Sequence, residues 1–329
     1  MSDDETEAPG LVRMGARALP PPALISDAAR ENLGLPRLQP RRGYPAVDDL
    51  DGWRRIIAKR DAEAARATAP LLAKLKADVT PRGDLGAPVQ VATPHASRRA
   101  DDDRIVYEIH GGALLFGAGE GNVRYGAART AVRTGRTTVS VDYRMPPDHP
   151  YPAALDDCLA VYRGLLAEGP ADRIVVYGTS AGGNLAAALL LRARDERLAM
   201  PAGAILLTPE LDLTEQGDSF NTLLGLDVVL PERLMSMNLV YAAGADLAHP
   251  YLSPLFGDVS GFPPTFLQAG TRDIFLSNTV IMHRKLRSAG VRADLHVWEG
   301  MPHGGFGGAP EDIEIRLELR RFLDRLRRH

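Results

Sequence analysis

One cysteine, Cys158, stands in 329 residues, so no disulfide forms within the chain. It falls in an apolar helical pattern over 153–166 and reads as a buried small hydrophobe, not as a nucleophile. Neither sign of charge is in excess. The 39 Lys and Arg against 42 Asp and Glu leave −3, which excludes the basic footprint of a nucleic-acid binder. The arginine pairs at 41–42, 54–55 and 98–99 read as solvated faces. No apolar run approaches the roughly 20 residues that span a bilayer. Met1 to Glu5 are acidic and lack the basic and apolar regions of a signal peptide, so a cytoplasmic protein is expected. No internal repeat interrupts an ordinary globular composition, 45% hydrophobic and 25% charged, long enough for one α/β domain with a lid.

The first dozen residues are polar and expected to be disordered, and 20–45 read as a proline-rich irregular arm. Trp53, Ile56, Ile57, Arg60, Ala64 and Ala67 recur at helical spacing, and Leu71, Leu72 and Leu75 extend the pattern past Pro70. Pro81, Gly83, Gly86 and Pro88 mark a break. Strand and helix patterns then alternate. Strands are expected at 89–92, 105–109, 137–141, 174–177, 202–207, 265–269 and 293–298. Helices are expected at 125–133, 153–166, 181–194, 277–289 and 310–328. This alternation predicts an α/β fold with a mainly parallel sheet, helices on both faces, and ligands at the carboxyl ends of the strands. The stretch 211–250 breaks the rhythm and reads as an insertion with short helices. The division expected is 1–86 as arm and cap helices, 87–210 and 251–329 as the core, and 211–250 as a cap insertion.

Three segments at predicted strand ends carry chemistry. Gly178-Thr179-Ser180-Ala181-Gly182 joins an apolar strand to an Ala/Leu helix. A hydroxyl is a weak nucleophile and must be presented to a base clear of the backbone. A sharp strand-to-helix turn with small neighbours does this, and the new helix aims its free N–H groups at the site. Ala181 N–H is therefore a candidate oxyanion donor. His110-Gly111-Gly112 follows another strand, and Gly111 and Gly112 let backbone N–H groups approach an oxyanion closely. His110 precedes the serine and reads as a structural hydrogen-bonding residue.

His303 stands in a loop before the last helix, where its imidazole can reach the sheet edge. His296 lies within a strand and fits worse. Asp273 follows the strand 265–269 and would orient that imidazole. Its competing role is a helix cap, for which Ser277 is better placed. Asp258 and Asp294 lie at the wrong ends of their strands. Serine, acid and histidine in this order match the α/β-hydrolases. Glu210, after strand 202–207, reads either as a second acid supporting Ser180 or His303 or as a surface or hinge carboxylate.

At these residues the chain resembles the hormone-sensitive-lipase family of α/β-hydrolases, bacterial carboxylesterases with an HGG oxyanion motif. The stretch from Asp142 to Ala154, DYRMPPDHPYPAA, is similar to that family's DYRLAPEHPFPAA signature, and GTSAG to one of its subgroups. The resemblance spans roughly 87–329. It implies an α/β-hydrolase fold with an eight-stranded sheet and a cap made of the N-terminal arm and the insertion. It implies donation to the oxyanion from Gly111, Gly112 and Ala181. Ala113 departs from the family's third glycine and would narrow the acyl site.

The resulting expectation is a serine carboxylesterase on short-chain acyl esters, working through an acyl-enzyme with Ser180, His303 and Asp273. It needs no cofactor and no metal. Amidase or lactonase activity on the same fold stays open, because both share the nucleophile and the oxyanion hole. A dehydratase would lack Ser180, and a non-catalytic small-molecule receptor would tend to lose His303. Leu223, Leu224, Leu226, Val228, Val229 and Leu230 give the insertion an apolar face, for a pocket or for plain packing. The strand 293–298 has no proline guard, which predicts a homodimer through that edge.

Overall fold

The computed structural model describes residues 18–34, 44–100 and 102–326. The disorder expected for the first dozen residues and the solvated pair Arg41–Arg42 lie outside them. In chain order the elements are α1 (Asp27–Gly34), α2 (Leu50–Leu72), β1 (Ala77–Arg82), β2 (Val89–Pro94), β3 (Ile105–Ile109), α3 (Glu120–Thr134), β4 (Thr138–Val141), α4 (Ala153–Glu168), β5 (Ile174–Thr179), α5 (Ala181–Asp195), β6 (Gly203–Leu207), α6 (Ser219–Thr222), α7 (Met235–Ala242), β7 (Thr265–Gly270), α8 (Leu276–Ser288), β8 (Ala293–Trp298) and α9 (Pro310–Arg325).

The strands form one eight-stranded sheet in the order β1-β2-β4-β3-β5-β6-β7-β8. β2 runs antiparallel to β1 and β4, and every other pairing is parallel. This is the α/β-hydrolase architecture. β5 and β6 are buried at nearly every position, as strands covered by helices on both faces must be. α5 lies beneath them with Leu185, Leu189 and Leu190 fully buried, each worth about 2 kcal/mol of apolar burial.

Two elements escaped the sequence pattern. The break expected across Pro81 and Gly83 is an edge strand over Ala77–Arg82. Its alternate exposure leaves no apolar signature, and Pro81 is tolerated because only one side is paired. The arm expected to be irregular holds α1. Ile25 and Ala29 bury against α9, and Ser26 N and Oγ donate to Glu311 at 2.7 and 2.8 Å.

The order of the strands positions the site. From β3 the chain moves through α3 to β4 on one side, then returns through α4 to β5 on the other. A crevice opens at the carboxyl ends of β3 and β5, where these connections diverge. Ile109 pairs with Gly178 there, so the segments after the two strands, Gly111 and Ser180, emerge side by side.

Candidate active site

Ser180 sits at φ +58° and ψ −125°, between β5 and α5. A side chain in that region is strained, and three glycines let the turn close on it. A Cβ on Gly178 would lie 2.1 Å from Gly182 O. One on Gly182 would lie 2.0 Å from Ile109 O, and one on Gly183 2.7 Å from the Pro209 side chain. Ser180 N donates to Leu207 O at 2.9 Å, and Ser180 O accepts from Gly183 N at 2.8 Å. The backbone is thus held on both sides while the hydroxyl faces the crevice.

The second wall is the loop after β3. A Cβ on Gly111 would meet Thr179 O at 2.7 Å and the Ser180 Cβ at 3.0 Å. Gly112 has φ +133°, and a Cβ there would meet Phe116 O at 1.9 Å. Ala113 follows at φ +52°, a backbone conformation that glycine adopts freely. Its methyl lines the cavity above Ser180. Among the described residues, the N–H groups of Gly111, Gly112 and Ala181 donate to no other protein group. His110 holds this loop from below. Its ring stacks on Tyr143 at 4.2 Å and its Nδ1 lies 2.8 Å from Gly111 O.

His303 closes the constellation. Its Nε2 lies 2.9 Å from Ser180 Oγ and its Nδ1 3.2 Å from Asp273 Oδ1. Asp273 is fully buried and also accepts from Phe275 N at 3.0 Å. Asp273 therefore serves the turn before α8 as well as the imidazole. Ser277, expected as the cap, lies inside α8 and instead exchanges hydrogen bonds with Ser219. Burial works against an imidazolium here, but Asp273, by its charge and its hydrogen bond, and then Asp227 outweigh it and hold the His303 pKa above its ordinary value. His296 stacks on Phe266 at 4.6 Å, away from this group.

Glu210 is no surface carboxylate. It is fully buried, and its N–H reaches Ser180 O at 3.3 Å. Neither of its carboxyl oxygens makes a hydrogen bond of good geometry, although Asn238 is near enough to favour the charged form. Burial, with the charge of Glu215, pushes its pKa up to about 8.

Asp227 is the residue that sequence reasoning missed. It is fully buried; its Oδ1 accepts from Val229 N at 2.8 Å and Leu230 N at 3.1 Å, and its Oδ2 accepts from His303 N at 3.1 Å. Burial and the neighbouring Asp273 raise its pKa. The only sequence signal was an acid between apolar residues in a segment without periodicity.

A family model described as alpha/beta hydrolase fold matches residues 106–306. The chain belongs to the α/β-hydrolase fold family. Within it, this hydrolase is a member of the hormone-sensitive-lipase group: the crystal structure of a hormone-sensitive lipase from a metagenome library superposes with a TM-score of 0.77 at 28% identity, covering 92% of this chain and 99% of that one. An esterase of Acinetobacter venetianus is 35% identical over 207 residues, covering 62% of this chain and 68% of the relative. An acetyl-hydrolase of Streptomyces hygroscopicus is 33% identical over 204 residues, covering 61% and 68%. The crystal structure of esterase E25 superposes with a TM-score of 0.85 at 35% identity, covering 95% of this chain and 98% of that one.

A cavity of about 350 Å³ opens above Ser180 and His303 in the hydrolase. Its floor is Gly112, Ala113 and Thr179. Tyr44 and Arg60 wall it from the N-terminal side, and Val229, Leu230, Pro231, Glu232, Leu234 and Met237 from the segment between β6 and β7. Of the six apolar residues expected to line a pocket, only Val229 and Leu230 reach it. Leu223 packs toward the core, and Leu224 is exposed. Among the described residues no helix is long and apolar enough to cross a membrane.

Proposed function

We propose that this hydrolase is a serine carboxylesterase for short-chain acyl esters, with Ser180 as nucleophile, His303 as base and Asp273 as the acid that orients it. One observation carries the assignment. His303 bridges Ser180 Oγ and Asp273 beside three amides that have no other acceptor among the described residues. Ser180 Oγ attacks the ester carbonyl while His303 Nε2 takes its proton. Gly111, Gly112 and Ala181 N–H groups stabilise the tetrahedral oxyanion. The C–O bond to the alcohol then breaks, and His303 returns the proton to that oxygen. Water, deprotonated by the same imidazole, attacks the acyl-serine and releases the acid. The esterases among the relatives and the modest volume of the cavity support short esters as substrates.

Glu210 acts as a supporting acid beneath Ser180, tuning the charge around His303. An alanine variant with unchanged rate and pH profile would rule this role out. A second copy of the chain pairs along β8, an edge strand without proline whose Val297 is exposed. A monomeric mass in solution at micromolar concentration counts against that pairing.

Hydrolysis of nitrophenyl esters from two to sixteen carbons tests the main reading. Activity is expected to peak at short chains in the wild type and to vanish in Ser180→Ala. A folded wild type inactive on every length overturns it and points to an amide or lactone substrate.

A further inference from the structure

Arg60 is the exception on α2. It lies four residues after Ile56 and three after Ile57, on the stripe that Trp53, Ile56 and Ile57 turn to the core. A charge on an inward stripe is costly unless it has a partner or a task. The half-buried guanidinium lines the cavity that holds Ser180. Phe116 and Tyr44 pack against it, with their ring centres 4.4 and 5.1 Å from its Cζ. Nη2 donates to Tyr44 Oη at 2.9 Å, and Nε is sealed from solvent with no acceptor among the described residues.

No ion pair answers it. Asp61, the next residue, feels the charge of Arg60 but directs its carboxylate to Gly117 N at 2.8 Å. Glu232 lines the same cavity from the insertion side and forms no ion pair with Arg60. Among the described residues, no carboxylate pairs with Arg60. The two aromatic contacts and the bond to Tyr44 hold the guanidinium at the cavity wall, and Nη1 has no protein partner among the described residues, which leaves that end for recognition. A fixed guanidinium edge matches the geometry of a carboxylate. In a cavity otherwise lined mostly by apolar side chains, screening is weak and the attraction is correspondingly strong.

We propose that Arg60 is an anion subsite of the active-site cavity, and that the hydrolase favours esters carrying a free carboxylate at a distance from the bond it cleaves. This rests on the esterase reading of Ser180. Binding energy gained at Arg60 holds the scissile carbonyl over the nucleophile, so the preference shows in kcat/KM.

Two pairs of near-isosteric esters test it. Ethyl 4-methylpentanoate against monoethyl succinate places the charge on the acyl half. 3-Methylbutyl acetate against 3-acetoxypropanoate places it on the alcohol half. In at least one pair the wild type is expected to prefer the anionic ester. Arg60→Met should then lower kcat/KM for that ester at least ten times more than for its neutral isostere, the scale of one charge-assisted hydrogen bond. Arg60→Lys, which keeps the charge but not the fork, should fall between. A neutral-to-anionic ratio that Arg60→Met leaves unchanged in both pairs overturns the subsite and leaves the esterase intact, with Arg60 only part of the cavity wall. Cleavage of none of the four esters by folded wild type overturns the esterase reading and the subsite together.

Discussion

At the carboxyl edge of the sheet, Gly111, Ser180, Asp273 and His303 each stand one to five residues past a strand. The wall facing them across the cavity is assembled otherwise. Tyr44 and Arg60 come from around α2, and residues between Val229 and Met237 from the segment between β6 and β7, with no strand to place them. The edge is held by backbone, in glycines that a single Cβ would dislodge. The wall is held by side chains, through the aromatic contacts of Arg60 and the carboxylate of Asp227. On the proposed reading, chemistry falls to the half fixed by backbone and selection among substrates to the half fixed by side chains.

The largest effects fall on the edge. Ser180→Ala removes the attacking oxygen, and kcat should drop by about ten-thousand-fold or more, read against short nitrophenyl esters. Gly112→Ala leaves the nucleophile intact but drives a methyl into Phe116 O. The loop must shift and its N–H groups lose their aim, so kcat is expected to fall by about a hundredfold or more. Survival of full activity in Gly112→Ala would mean that this loop is not the oxyanion site.

Asp227 joins the two halves, and its substitution sharpens the comparison. Asn at this position keeps an Oδ1 for Val229 and Leu230 but sets an amide –NH₂ against His303 N–H. The imidazole loses its backbone anchor, and kcat should fall by about ten- to a hundredfold, with KM nearly unmoved. A pH profile separates this from general loosening. In the wild type, activity should rise with pH through a midpoint above about 6.5, because His303 must be neutral and its pKa is raised. Removing the negative charge of Asp227 lowers that pKa, so the acid limb should move to lower pH. A midpoint that stays in place would show that Asp227 bears on the fold alone.

The same division decided what could be read in advance. Strand-end motifs announce themselves because a reactive group beside a tight turn demands glycine at fixed offsets, as at Gly178, Gly182 and Gly111. The parallel strands were legible from continuous apolar runs, β5 above all. β1 was not, because an edge strand exposed on alternate residues carries no apolar run and here includes Pro81. Asp227 and Arg60 were not legible as site residues. Their positions are set by long-range packing between segments far apart in the chain, which leaves no local pattern. Ser277 misled because a helix start was placed one residue late, and the serine belongs to the contact with Ser219.

Glu210 gives the smallest expected change in rate and the clearest test of how a rigid edge tolerates charge. Its carboxyl is fully buried, with a pKa pushed to about 8 by burial and by Glu215. In the unfolded chain the same group titrates near about 4.3. Below that value both states hold the proton, and the native state keeps its full advantage. As pH rises toward 8 the unfolded state loses the proton while the native state retains it, so this contribution to stability is lost progressively. Glu210→Gln cannot titrate and removes that slope. Its Tm relative to wild type should therefore be higher at pH 8 than at pH 5, with kcat at pH 7 changed only a few-fold. The opposite trend, a variant weaker at pH 8, would mean that Glu210 is ionised in the native state and held by His303, and that the carboxyl beneath Ser180 works as a charge.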